Sequence, residues 1–201
     1  MIELDLTRLA QAANGRLICD ESLTSLTVDS LITDTRADTR SDTKANLRSF
    51  KDKDKNKNKD KNKEAFLALK GSNFDGHTFI QQVITKGCQV LIVDHQLNNI
   101  DSSTVAQIIV DDTRIALGKI AAFVKAEVAP KTIGITGSSG KTTVKEMLAA
   151  ILSRLGKVLA TDGNFNNDIG VPLTLLRLSQ HDDFAVIEMG ANHLGEIAYT
   201  T

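Results

Sequence analysis

The chain contains no Trp and one Tyr, and its seven Phe are spread over 201 residues. So few flat side chains exclude a platform of stacked nucleobases as its main working surface. An excess of one charge is missing too. Lys and Arg number 24 and Asp and Glu 25, and a net charge of −1 creates no field that would draw in nucleic acid or an anionic membrane. No stretch reaches the roughly 18 apolar residues of a membrane span. The opening Met1-Ile2-Glu3-Leu4-Asp5 has neither the basic start nor the apolar run of a secretory signal. Cys19 and Cys88 lie far apart in apolar surroundings and match no metal spacing, so they are expected to be buried free thiols of a cytosolic protein. A monomer without nucleic-acid or membrane partners is the expectation. What the chain does have is an ordinary core-forming complement, 41% hydrophobic, at a length that allows one large or two small domains.

One stretch organises the rest. Thr132-Ile133-Gly134-Ile135 reads as a buried strand that runs into Thr136-Gly137-Ser138-Ser139-Gly140, and Lys141-Thr142-Thr143 opens a helix. Strand, glycine loop, Lys and hydroxyl form the arrangement that cradles a nucleoside triphosphate. Glycines let backbone N–H groups approach the phosphates, the Lys141 ammonium meets the β and γ oxygens, and the Thr142 hydroxyl is a Mg²⁺ ligand. The strict G-x-x-x-x-G-K-[ST] spacing is not met, because Ile135 stands where the first glycine belongs.

Upstream, Leu6, Leu9, Ala10 and Ala13 recur at helical spacing and Gly15 stops the helix. Arg16–Cys19 and Leu26–Thr33 are expected strands, the second ending in Thr33-Asp34-Thr35-Arg36. A low-complexity tract follows, with Asp-Thr-Arg/Lys repeats and then Lys at every odd position from Lys51 to Lys63. It has almost nothing to bury, and a solvated loop insertion over about residues 37–63 is expected rather than a basic arm, since Asp52, Asp54 and Asp60 dilute its charge. Ala65–Gly71 then reads as a strand, residues 72–77 as a polar turn, Thr78–Lys86 as a helix, Val90–Val93 and Val105–Val110 as strands. A helix capped by Asp112 or Thr113 runs to about Val128, and Pro130 marks the expected domain boundary. His77 and His95 each invite a ligand reading, but neither has a second ligand at metal spacing. His95 is read as a surface loop residue.

Beyond the loop, Val144, Met147, Leu148, Ile151, Leu152 and Leu155 form an apolar helical stripe, and Val158–Thr161 is the next strand of a βαβ unit. Asp162–Pro172 is an Asn- and Gly-rich loop whose amides are candidate ligand contacts, and Leu173–Leu178 a short helix. Phe184–Glu188 is an apolar strand ending in an acid, followed by Met189-Gly190-Ala191-Asn192-His193. A carboxylate ending a neighbouring strand completes a Mg²⁺ shell opposite the loop hydroxyl in phosphate-loop enzymes, and Glu188 is placed for this. His193 is a further candidate site residue.

These motifs resemble those of the Mur ligases. Ile135–Met147, Gly163-Asn164-Phe165-Asn166-Asn167-Asp168-Ile169-Gly170-Val171-Pro172 and Ile187–His193 are similar to the nucleotide domain of the branch that adds D-alanyl-D-alanine. Thr33–Arg36, Phe66–Gly71 and Phe74-Asp75-Gly76-His77 are similar to that family's UDP-sugar domain. The resemblance implies an α/β protein: a small mixed UDP-sugar-binding domain (residues 1–129), then the truncated start of a phosphate-loop, parallel-sheet ATP-binding domain (residues 130–201). It implies a cytoplasmic, ATP- and Mg²⁺-dependent ligation that joins D-Ala-D-Ala to UDP-N-acetylmuramoyl-tripeptide through an acyl phosphate, a step of peptidoglycan precursor synthesis.

By that resemblance Thr136–Thr143, Asn164 and Asn167 bind ATP. Thr142 and Glu188 bind Mg²⁺, and Lys141, Glu188 and His193 carry catalysis. Thr33, Asp34, Thr35, Arg36, Lys70, Gly71, Asn73, Phe74, Asp75, Gly76 and His77 bind the UDP substrate. Two departures stand out. The family joins its Asp-Thr-Arg motif to the following strand by a short Pro-Gly turn, where this chain has the Lys-rich tract. The family's larger central domain, third domain, carbamylated Lys and second metal-binding His would lie past Thr201, so ligation by these residues alone is not expected. A MurE-like ligase, a folylpolyglutamate synthetase and a non-catalytic nucleotide- or UDP-sugar-binding fragment are the alternatives. The Asn-rich loop, Gly-Ala-Asn-His and the UDP-sugar motifs weigh against the first two.

Overall fold

The structure is a computed structural model and describes residues 1–33, 63–71 and 74–190. The Lys-rich tract, Asp34–Arg36, Asn73 and His193 lie outside the described residues. The chain divides into two compact units, one of Glu3–Ala116 and one of Leu117 onward with Met1–Ile2. The division falls inside a helix, upstream of Pro130.

The first unit opens with β1 (Leu4–Asp5) and α1 (Leu6–Ala13). The Asp5 carboxylate caps α1 by accepting the Arg8 N–H, and Asn14 closes it in the left-handed conformation. Strands β2 (Arg16–Ile18), β3 (Thr27–Val28), β4 (Ser30–Ile32), β5 (Glu64–Leu67), β6 (Lys70–Gly71), β7 (Phe74–Asp75), β8 (Val90–Val93) and β9 (Ala106–Ile109) follow, with α2 (Ile80–Thr85) between β7 and β8. A five-stranded sheet has the order β2-β9-β8-β5-β4, with parallel pairing except for antiparallel β2. The central strands β5 and β8 are buried along most of their length, as their unbroken apolar runs require.

Three single elements expected from the sequence are split. Leu26–Thr33 becomes β3, which pairs with β1, and β4, which joins the large sheet. Ala65–Gly71 becomes β5 and β6, because Lys70–Gly71 leave the sheet to form a hairpin with Phe74–Asp75. The helix expected from Thr78 begins as a 3₁₀ turn over Gly76–Phe79, capped by Asp75, before α2. A cluster of Phe66, Ala68, Ile80, Val83, Cys88, Leu91, Val93 and Val105 holds α2 to the sheet. Cys88 is buried there, whereas Cys19 is only half-buried, because it stands just past the end of edge strand β2. Both are free thiols.

Helix α3 (Thr113–Val128) carries the division between the units. In the second unit, β10 (Lys131–Ile135), α4 (Lys141–Leu152), β11 (Val158–Ala160), α5 (Gly170–Leu175) and β12 (Phe184–Glu188) build a parallel sheet of order β10-β12-β11. The expected buried strand at β10 is instead an edge strand that is largely exposed before Ile135. Among the described residues only β12 pairs with it, so one side lacks a neighbour. The apolar stripe of α4 also departs from expectation. Leu148, Ala149 and Leu152 are half-buried beside the sheet, while Val144, Met147, Ile151 and Leu155 are exposed. One helix face meets one sheet, and the apolar residues of α4 are spread too widely around its axis for all of them to share that face. Helix α5 starts at Gly170, earlier than expected, because the Asn167 side chain accepts the Gly170 N–H.

Candidate functional site

The second unit gathers its polar groups where β10 and β12 end. Past Ile135 the chain turns through Gly137 at φ 145° and Gly140 at φ 77°, conformations that residues with a Cβ rarely adopt. Gly140 is the N-cap of α4 and brings no side chain to its first turn, so that turn's N–H groups face the loop. Lys141 folds back over the loop and donates to the Gly137 carbonyl oxygen at 2.7 Å. This cup of N–H groups beside an ammonium is the electrostatic complement of a phosphate chain.

Glu188 forms the facing wall. Parallel register sets it opposite Ile135, the last residue before the loop. Its side chain is buried at 3% exposure, and a carboxylate so deep needs polar partners. Oε2 accepts from Thr142 Oγ1 at 3.0 Å and Oε1 from Asn166 Nδ2 at 2.9 Å. The Lys145 ammonium stands 4.0 Å from Oε2. The Glu188 backbone N–H donates to Thr161 Oγ1, and the Gly190 N–H to the Asn166 carbonyl oxygen, which ties the Asn-rich loop to the end of β12.

Thr142 and Glu188 therefore offer two hard oxygen donors 3.0 Å apart. Two neighbouring ligands of an octahedral Mg²⁺ with metal–oxygen distances of about 2.0–2.1 Å stand about 2.9 Å apart. The donor set and its spacing fit that ion.

Three residues of this site were not singled out from the sequence. Asn166, rather than Asn164 or Asn167, reaches Glu188; Asn164 is exposed, and Asn167 turns its side-chain oxygen to Gly170. Thr161 orients the Glu188 backbone. Lys145 is 1% exposed and also pairs with Glu146 at 3.1 Å. Its signal was legible: it shares the sheet-facing side of α4 with Leu148, Ala149 and Leu152, where a charge needs a buried partner.

The first unit brings together another part of the expected set. Thr33 is buried just past β4. Lys70, Gly71, Phe74 and Asp75 form the β6–β7 hairpin, and Phe74 stacks on Phe79 with ring centroids 5.7 Å apart. The Asp75 carboxylate accepts the His77 backbone N–H at 2.9 Å and lies 2.6 Å from His77 Nδ1. Those contacts, the backbone one foremost, hold its pKa below the ordinary carboxylate value. His77 continues to Asp94, with Nε2 3.1 Å from Asp94 Oδ1.

Comparison with known proteins decides the family. The family model for the Mur ligase middle domain matches residues 135–201, and that described as Mur ligase family, catalytic domain, matches residues 61–125. A UDP-N-acetylmuramoyl-tripeptide–D-alanyl-D-alanine ligase of Haemophilus influenzae is 44% identical over all of this chain. The chain belongs to the Mur ligase family. Among solved Mur ligases, MurF from Acinetobacter baumannii superposes with a TM-score of 0.80 at 41% identity over 98% of the chain. MurF from Thermotoga maritima in complex with ADP gives a TM-score of 0.61 at 34% identity over 68%. The chain spans about two fifths of its relatives' length, 39% of the Haemophilus enzyme and 38% of the Acinetobacter one. Among the described residues no helix is long and apolar enough to cross a membrane.

Proposed function

We propose that this chain supplies the UDP-sugar site (residues 1–129) and part of the ATP site (residues 130–201) of a MurF-type ligase. The ligase would act in the cytoplasm and as a monomer. The reaction is the addition of D-Ala-D-Ala to UDP-N-acetylmuramoyl-tripeptide. The observation that carries the reading is the Thr142–Glu188 oxygen pair, set 3.0 Å apart beside the glycine loop.

Each residue has a defined task. The loop N–H groups from Gly137 to Thr142, with Ser138, Ser139 and Thr143 around them, hold the phosphates of ATP. Lys141 leaves the Gly137 carbonyl and meets the β and γ oxygens, where it stabilises charge as the phosphoryl group transfers. Thr142 and Glu188 would hold Mg²⁺, which would supply neutralisation of the charge that develops during phosphoryl transfer. Asn166 and Lys145 keep Glu188 aimed at the loop, and Asn164 edges the nucleotide site. The γ-phosphoryl passes to the terminal carboxylate of the tripeptide and ADP leaves. The amine of D-Ala-D-Ala then attacks the acyl carbon, an amide bond forms and phosphate departs. His193, just past Glu188 in sequence, is assigned to the same site. Thr33–Arg36 and Lys70–His77 hold the UDP end.

Titration with ADP tests this. Mg²⁺-dependent ADP binding is expected to weaken at least about tenfold in Thr142→Ala and Glu188→Gln, by analogy with lost metal ligation, while UDP-N-acetylmuramoyl-tripeptide binds as before. ADP affinity indifferent to Mg²⁺ and to both substitutions would sink the reading. Tighter binding of the dipeptide than of the tripeptide precursor would favour the MurE-like alternative.

A further inference from the structure

The first unit holds a second cluster of metal-ligating groups, away from the glycine loop in sequence. His77, in the 3₁₀ turn after β7, and Asp94-His95, just past the end of β8, place one donor atom each within 4.8 Å of the others. Both imidazoles converge on one oxygen. His77 Nε2 lies 3.1 Å and His95 Nδ1 2.5 Å from Asp94 Oδ1, with the two rings stacked at 4.9 Å between centroids.

The surrounding contacts orient this set. The Asp75 carboxylate lies 2.6 Å from His77 Nδ1 and orients the ring. The ring's other nitrogen, Nε2, faces Asp94 Oδ1 at 3.1 Å as well as the weak Asp94 N–H contact at 3.4 Å. A carboxylate on one imidazole nitrogen with a cation on the other is a recurrent arrangement for histidine metal ligands. Lys70 Nζ, 3.9 Å from Asp94 Oδ2, occupies the other carboxylate oxygen and leaves Oδ1 as a single donor.

We propose that His77 Nε2, Asp94 Oδ1 and His95 Nδ1 bind a divalent transition-metal ion of the zinc type, with its fourth position open to solvent. Two imidazoles and one carboxylate suit such an ion better than Mg²⁺. Tetrahedral ligand edges are about 3.3 Å at these bond lengths. The His77–Asp94 edge is already close, and the His95 side chain, 63% exposed, has room to swing outward. The site does not depend on the ligase reading, because the metal alone is its ligand.

The untagged 201-residue chain, stripped with chelator and free of nucleotide, is titrated with Zn²⁺ by calorimetry and with Co²⁺ by visible absorption. One equivalent is expected to bind, with Co²⁺ bands of a nitrogen–oxygen site. His95→Ala is expected to weaken binding at least about tenfold, and Asp75→Asn, which removes the orienting carboxylate, about ten- to hundredfold. Cys19→Ser and Glu188→Gln should leave it unchanged. His95→Ala alters an exposed side chain, and an unchanged circular dichroism spectrum confirms its fold. No binding by the native chain, equal affinity in His95→Ala and Asp94→Asn, or a thiolate-to-cobalt band lost in Cys19→Ser would each overturn the proposal.

Discussion

At the scale of single residues, a few side chains carry chemistry that their identity alone does not reveal. Asp75 caps the 3₁₀ turn and its pKa is depressed in the folded state, by the His77 backbone N–H first. A depressed carboxylate stabilises the fold above its unfolded pKa, and the contribution disappears as pH falls through the folded value. Urea unfolding should therefore show Asp75→Asn less stable than the native chain at neutral pH, with the gap closing on acidification. A gap that widens in acid would contradict the assignment. The two thiols make a second case. Burial raises the Cys88 pKa, while burial and the neighbouring Asp20 charge raise that of Cys19. In mildly alkaline buffer, mass spectrometry should find Cys19 alkylated before Cys88, with both slower than in urea. Equal native rates would show that Cys88 is not sequestered.

At the scale of elements, α3 and α4 show how caps and faces are used. The Asp112 carboxylate accepts the N–H groups of Arg114 and Ile115 at 2.7 and 3.0 Å. Asp112→Ala should cost about 1 kcal/mol, read as a lower urea midpoint at constant slope. On α4, Val144, Met147, Ile151 and Leu155 are 47%, 61%, 58% and 73% exposed and follow one another at helical spacing. Such a stripe is a surface seeking cover. The double substitution Met147→Lys and Ile151→Lys should change stability by no more than about 0.5 kcal/mol per site and reduce binding of a hydrophobic dye. A loss of several kcal/mol would mean that these side chains are packed after all. Lys145, on the opposite side of the same helix, should behave differently: Lys145→Met removes the cation facing Glu188 and is expected to weaken Mg²⁺-dependent ADP binding, with partial rescue by Lys145→Arg.

At the scale of the whole molecule, two compact units divide the chain inside α3. If the phosphate loop binds Mg²⁺·ADP, saturation at a hundredfold above Kd would stabilise the second unit by about 2.7 kcal/mol. Hydrogen-exchange protection should then rise around Gly137–Lys145 and Glu188 and leave β5 and β8 unchanged. Protection rising equally in both units would refute independent sites. Much of this organisation was written in the order of residues. The strand–glycine loop–Lys-Thr succession, the acid closing β12 and the apolar runs of β5 and β8 were legible because each depends on neighbours a few positions away. The partners of Glu188 were legible only in part, because Asn166 and Lys145 reach it from separate elements and helical phase hinted at Lys145 alone. The convergence of His77 with Asp94 and His95 was not legible, since His77 and Asp94 stand seventeen positions apart and meet through the parallel pairing of β8 with β5, past whose end the turn after β7 is tied by the Gly76 N–H to the Leu69 carbonyl oxygen. The sequence by itself determined the local chemistry: which groups form the phosphate loop, where α1, α3 and α4 start, and which family the chain resembles. Tertiary structure alone decided that β10, among the described residues, pairs on one side only, that four of the six residues of the α4 stripe stay exposed, and which Asn serves Glu188. Those outcomes depend on strand order and on distances across the sheet, which local periodicity does not encode.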